Sequence, residues 1–160
     1  MTEQTMLGSV RRTITVETSR ERAFALFTER AGSWWPATHH IAPQPFVAVV
    51  MEPRVGGRWF ERSAEGAECD WGQVLAWEPP SRVVLAWQLT AEWRYEADMA
   101  KASEVEVRFV AEGAKRTRVE LEHRGFERHG AGAEKMRTAV EGPSGWTQCL
   151  AQFSEATQRA

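Results

Sequence analysis

The residues that could do chemistry in this chain are few and scattered. A pair, His39-His40, stands in "ATHHIA"; His123 closes the alternating run "VELEH"; Cys69 and Cys149 lie far apart. A metal site needs three or four Cys, His or carboxylate ligands converging on one point. Side chains of neighbours on an extended chain point apart, and nothing around 39–40 supplies partner spacing, so no metal is expected. His123 shares a strand face with Val119 and Leu121. Three roles are open to it: a half-buried histidine bonded to a neighbour, a polar contact inside a pocket, or a general base. Neither cysteine has a nearby histidine or basic pair to lower its pKa, and Cys149 reads as packing. No G-x-S-x-G elbow occurs, and the carboxylates fall mostly on polar strand faces. No catalytic residue and no cofactor is assigned on these grounds.

The rings are a different matter. Eight tryptophans outnumber seven phenylalanines and one tyrosine, and four of the eight fall within "EPRVGGRWFERSAEGAECDWGQVLAWEPPSRVVLAWQL" (52–89). Taken singly, each reads as core. Taken as a set, they could wall a hollow, because pockets for apolar ligands combine such walls with a few polar groups. The candidate walls are Phe46, Trp59, Trp71, Trp87, His123, Trp146 and Phe153, with Trp35 and Trp93 near the mouth.

Period-two alternation supplies the elements that would position these residues. "VRRTITVE" (10–17) sets Arg12, Ile14 and Val16 on one face. A helix follows, with Thr18 and Glu21 at capping-box spacing and Ala23, Phe24 and Phe27 as its stripe. "SWWP" gives one further turn, stopped before Pro36. Strands are then expected over 45–51, 57–63, 69–78, 82–90, 104–111 and 117–123, separated by Gly56-Gly57, "AEGAE", "EPPS" and "AEGAK". Val83, Leu85, Trp87 and Leu89 share a face, as do Val105, Val107 and Phe109, against charged opposite positions. That pattern belongs to an antiparallel sheet covered on one side. Residues 133–141 read as a helix interrupted at Gly142-Pro143. Ser144 is placed to cap a restart in which Trp146, Cys149 or Leu150, Phe153 and Thr157 recur at helical spacing.

The totals bound the class. A chain of 160 residues suits one domain, expected over 9–158 after a flexible segment, 1–8. Its formal charge is −2, and its 17 arginines alternate with glutamates, so neither nucleic acid nor an anionic membrane surface is an expected partner. Two cysteines, no apolar run of signal length and no span of ~20 apolar residues lead to a reduced, cytoplasmic protein as the expectation.

The segments "MEPRVGGRWFE" (51–61), "DWGQVLAWEPPSRVVLAWQLTAEWRY" (70–95), "SEVEVRFVAEG" (103–113), "TRVELEHRGFERHG" (117–130) and "GW" (145–146), in this order, resemble the SRPBCC superfamily of START-like, helix-grip proteins. More narrowly, they are similar to its bacterial branch related to the activator of the heat-shock-protein-ninety ATPase. The resemblance implies an α+β helix-grip fold: a curved antiparallel sheet of about seven strands around a long C-terminal helix, with two short helices after the first strand. It also implies a cavity between sheet and helix that takes lipidic, aromatic or polyketide ligands in many relatives. Eukaryotic activators carry a further domain, for which this chain has no room. No Rieske-type Cys/His cluster and no cyclase residue set can be matched here. The leading expectation is therefore a monomer or homodimer that binds a small apolar or aromatic molecule without catalysis. The alternatives are a protein-interaction module acting on a chaperone or other partner, and a cofactor-free, polyketide cyclase-like enzyme.

Overall fold

Among the described residues seven strands form where the sequence places them: β1 (Val10–Val16), β2 (Phe46–Met51), β3 (Arg58–Ser63), β4 (Glu68–Glu78), β5 (Arg82–Trp87), β6 (Ser103–Gly113) and β7 (Arg116–Arg124). The computed structural model describes residues 7–159, so most of the segment expected to be flexible, 1–6, lies outside the described residues. The strands make one antiparallel sheet in the order β1-β7-β6-β5-β4-β3-β2. Helix α1 (Arg20–Glu29) and a 3₁₀ turn (Ala31–Ser33) follow β1, while α2 (Ala133–Glu141) and α3 (Trp146–Arg159) close the chain. This is the helix-grip architecture: a curved sheet wrapped around a long C-terminal helix.

Register builds the concave face in rows. Leu85 lies beside Val105, Val105 beside His123, and His123 beside Val10. One row along, Trp87 lies beside Ser103. Against these rows α3 buries Trp146, Cys149, Leu150, Phe153, Ala156 and Thr157, the stripe its spacing predicts. At one end Phe24, Phe27, Trp34, Phe109 and Phe153 interlock, with Phe153 edge-on to Phe27 at 5.3 Å and to Trp34 at 5.2 Å. The Trp34 N–H donates to the Leu26 carbonyl (3.0 Å), so that ring enters the core with its polar edge satisfied.

Two glycines permit close approaches. A β-bulge in β4 inserts Trp71 between the pairs Trp59–Gly72 and Phe60–Asp70. There, a Cβ on Gly72 would land on the Ala86 carbonyl oxygen, so only glycine lets β4 and β5 meet. A Cβ on Gly145 would likewise strike the Val140 carbonyl, which fixes how tightly α2 turns into α3. Arg12 fastens that joint from β1, donating to Glu141 O (2.8 Å) and Thr147 Oγ1 (3.0 Å).

Several local expectations change. Ser19, not Thr18, caps α1, its hydroxyl accepting the Arg22 amide (3.2 Å), while the Thr18 carbonyl is taken by Thr117 Oγ1 (2.9 Å). Ser144 does not cap α3: Gly145 supplies the carbonyl that accepts the Cys149 amide. Strand β5 ends at Trp87 rather than at residue 90, because Gln88 turns its amide to the Trp71 carbonyl (2.8 Å) beyond the bulge. The convex face carries the alternating charges as ion pairs, but Glu106 is buried there among Arg82, Arg108 and Arg124. Burial alone would raise its pKa; the guanidinium hydrogen bonds overcome that and hold it below the usual carboxylate value. Among the described residues, no helix is long and apolar enough to cross a membrane.

Phe153, on α3, is fully buried against Phe27 of α1 and Trp34 at the end of the 3₁₀ turn. Phe153→Ala should cost about 3–5 kcal/mol of unfolding free energy in urea titrations followed by circular dichroism. A loss below about 1 kcal/mol would mean that this end of the core is loosely packed.

Candidate functional site

At the other end of the helix the interior is not filled. A cavity of about 300 Å³ lies between the sheet, the α2–α3 joint and the segment that leads from the 3₁₀ turn to β2. Its walls are Trp35, Trp71, Trp87, Trp93 and Trp146, with Leu89, Val140 and Cys149 beside them. Thr38, His39, His40 and Ser144 supply the polar part of the lining, which among the described residues contains no Asp, Glu, Lys or Arg. The volume is at the lower end of the range for small-molecule sites.

The wall formed by residues 38–41 has no helix or strand of its own and is pinned through its backbone. Glu61, fully buried on β3, accepts the Ile41 amide (2.7 Å) and the Trp71 indole N–H (2.8 Å) on one oxygen and the Ala42 amide (3.4 Å) on the other. One carboxylate thus sets both a tryptophan wall and the loop opposite it. The Trp35 N–H closes the same loop by donating to the His39 carbonyl (2.9 Å). His39 ties the loop to the α2–α3 joint, its Nε2 donating to the Ser144 carbonyl (2.6 Å).

Of the residues expected to line a pocket, Trp35, Trp71, Trp87, Trp93 and Trp146 meet at this cavity. Trp35 is a buried wall rather than a mouth residue, while Trp93 is 44% exposed and stands at the rim. The other four candidates lie elsewhere. Trp59 backs the cavity as a second layer, edge-on to Trp35 (6.2 Å), Trp71 (5.4 Å) and Trp87 (5.8 Å). Phe153 fills the closed end, and Phe46 sits half-buried at the start of edge strand β2 against His40. His123 lies on the expected face but behind Trp146 and Trp87, because alternation gives a face and not what stands over it.

Two features escaped the sequence reading. Adjacent side chains are expected to point apart; the chain turns at 37–38, and both His39 and His40 line the cavity. Glu61 is assigned no role by the sequence, although its spacing from Trp59 on β3 carries the signal that it faces inward. Among the described residues no group of three or more His, Cys, Asp or Glu is placed to hold a metal ion. Cys69 and Cys149 are free thiols, and burial pushes the Cys149 thiol up to about 12, so it stays protonated at neutral pH.

Behind the cavity runs a directional hydrogen-bond chain. The Trp146 indole can only donate, and it donates to Nδ1 of His123 (3.0 Å), which leaves the imidazole proton on Nε2. Ser103 Oγ meets that Nε2 at 2.8 Å and lies 2.7 Å from Nε2 of His129, to which its own proton is directed. The chain holds the Trp146 ring in place and requires His123 to be neutral. Burial, and then the nearby charge of His129, holds the His123 pKa well below its ordinary value; burial also lowers His129. Both shifts disfavour the charged form in the folded chain, so the unfolded chain binds more protons below the ordinary histidine pKa of about 6.5. Stability should therefore be fully present above that pH and fall as pH drops through it, by up to about 1.4 kcal/mol per pH unit for the His123 proton. Urea unfolding between pH 7.5 and 5 checks this, with His123→Asn flattening the dependence. An equal slope in the variant would contradict it.

Solved structures of similar chains put this site in company. One is the anthrahydroquino-γ-pyrone synthase Txn09, 39% identical, aligned over 94% of this chain and 97% of its own with a TM-score of 0.67. Another is CalC, a self-sacrificing resistance protein from Micromonospora echinospora, 32% identical over 94% of both chains, TM-score 0.67. CalU16 from the same organism, 24% identical over 92% of this chain and 73% of its own (TM-score 0.60), shares the fold. The presence of a synthase at this level of likeness overturns the expectation that the chain binds without catalysis. No curated protein matches the sequence. The family described as "Activator of Hsp90 ATPase homolog 1-like protein" matches over residues 17–158, and with the helix-grip architecture this establishes that the chain belongs to that family, within the SRPBCC/START-like fold.

Proposed function

We propose that the chain is a cyclase-like enzyme that encloses a flat, phenolic, polyketide-type molecule and promotes ring closure on it. The observation that carries this is the cavity itself: five indole rings around about 300 Å³, with Thr38, His39, His40 and Ser144 as the polar part of the lining. Indole faces suit a planar aromatic guest, which can take offset-stacked and edge-on contacts on several sides at once. A lining without formal charge from carboxylate, Lys or Arg suits a guest that enters neutral, since an unpaired buried charge is costly. The chemistry comes by likeness to the synthase, whose name places an anthrahydroquinone and a γ-pyrone in its product. The chaperone-module alternative called for little internal volume, so the cavity favours the enzyme.

The experiment is to incubate the protein with an anthrahydroquinone carrying a 1,3-diketone side chain and to follow pyrone formation by absorbance and mass spectrometry. Formation faster than in buffer is expected, together with saturable quenching of tryptophan fluorescence. Quenching without turnover across a panel of phenolic diketones would contradict the enzymatic reading, and absence of both would contradict the cavity reading.

Trp93 offers a separate check. It has φ +62°, a left-handed conformation that costs a side-chain-bearing residue roughly 1–2 kcal/mol, and it holds its ring near Trp87 (6.4 Å) at the rim. Trp93→Gly relieves that conformation while removing the rim. Its unfolding free energy should stay within about 1 kcal/mol of wild type, while 1,8-dihydroxyanthraquinone should dissociate several-fold faster in stopped-flow fluorescence. An unchanged dissociation rate would remove Trp93 from the site.

A further inference from the structure

The two histidines of the cavity wall differ in one respect that matters for chemistry. His39 is engaged at both nitrogens, with the Ser144 carbonyl on Nε2 (2.6 Å) and Thr38 Oγ1 on Nδ1 (3.1 Å). His40 is engaged at one: its Nδ1 lies 2.7 Å from the Ala42 carbonyl. A carbonyl oxygen only accepts, so Nδ1 carries the proton and the lone pair of the neutral ring is on Nε2. Among the described residues, Nε2 of His40 has no hydrogen-bond partner.

The position is built rather than incidental. The Ala42 carbonyl that selects the tautomer belongs to the segment whose amides, from Ile41 and Ala42, are held by the buried Glu61 carboxylate. The same carboxylate holds Trp71, a wall of the cavity, so base and wall share one anchor. Phe46 meets the His40 ring edge-on at 6.5 Å and limits its swing. The other groups near the cavity lack a free basic site. Cys149 keeps its thiol proton, and His123 spends both nitrogens on Trp146 and Ser103.

We propose that His40 is the general base of this cavity, with Nε2 accepting the proton of a phenolic or enolic O–H on the bound molecule. The assignment rests on the reading of the cavity as the site of an enzyme acting on aromatic polyketide-type molecules. In a ring closure the O–H bond breaks, its proton passes to Nε2, and its electron pair stays on oxygen. That oxygen adds to a ketone carbon of the same molecule, forming the new C–O bond. The carbonyl π pair moves to the ketone oxygen, which takes the proton back from the imidazolium. The product of this step is a cyclic hemiketal, an isomer of the substrate, and His40 is restored.

Two probes of matched shape test the contact, 1-naphthol and 1-methoxynaphthalene, of which only the first offers an O–H. Titrated by tryptophan quenching, the wild-type protein should bind 1-naphthol about tenfold more tightly, the equivalent of one hydrogen bond. His40→Leu should bind both probes alike and retain the affinity for the ether. An undiminished preference in His40→Leu would overturn the assignment while leaving the cavity reading intact. Failure of either protein to bind either probe would overturn the cavity reading and the assignment with it. Nitrogen-15 NMR of the wild-type imidazoles decides the same point without a substitution. The His40 Nε2 resonance should move toward the protonated position on adding 1-naphthol and stay in place with the ether; an unmoved resonance overturns the proposal.

Discussion

Coverage is the constraint on which this molecule turns. Seven strands at about 4.8 Å spacing present a face about 29 Å across, whereas a 14-residue helix is about 21 Å long and about 10 Å wide. One such helix cannot fill the concavity of the sheet it is gripped by. The large aromatic side chains answer that shortage in two ways. Toward one end, Phe24, Phe27, Trp34, Phe109 and Phe153 mesh edge-to-face and leave nothing open. Toward the other, the rings stand around a space instead of in it, with Trp59 behind them as backing. The same residue type thus serves as filler and as wall, and the helix position decides which.

Two of the walls, Trp71 and Trp146, hold their positions because their indole N–H groups donate to buried acceptors in fixed directions, whereas the Trp87 wall and the Trp59 ring behind it are held by packing alone. Glu61 takes donors from a strand ring and from a loop, and the Trp146–His123–Ser103–His129 chain fixes the ring opposite. Both arrangements are buried and directional, which is where a lost partner costs most. Both lie behind the rings, and among the described residues the lining itself holds no Asp, Glu, Lys or Arg. A lining of this kind suits a guest held by ring contacts.

Much of the fold was legible because period-two alternation survives in β5, β6 and β7, where the buried inward positions are apolar or aromatic except Ser103, Thr117 and His123. The stripe of α3 was equally readable, since Trp146, Phe153 and Thr157 keep helical spacing after Gly145. Trp71 was harder. The bulge in β4 adds a residue to that strand, so counting by twos fails across it, and only Gly72 hints at the close contact there. The site itself was half legible. Rings could be assigned to a face, but whether a helix or a hollow lay above them depended on long-range geometry. His39 and His40 sit in a segment without periodicity, and His40 acquires its free nitrogen only from a backbone carbonyl two residues on. No spacing rule reports that. The carboxylates fall mostly on polar strand faces, as the alternation predicts, and Glu106 departs from full solvation because three arginines converge over it.

The division of the tryptophans into filler and wall is open to one direct measurement. With 5-fluorotryptophan incorporated and the resonances assigned by substitution, fluorine-19 NMR follows all eight rings while 1,8-dihydroxyanthraquinone is added. The resonances of Trp35, Trp71, Trp87, Trp93 and Trp146 should shift together and saturate, while those of Trp34 and Trp77, at the packed end, stay where they are. Shifts confined to Trp93, or spread evenly over all eight rings, would contradict an enclosed aromatic site.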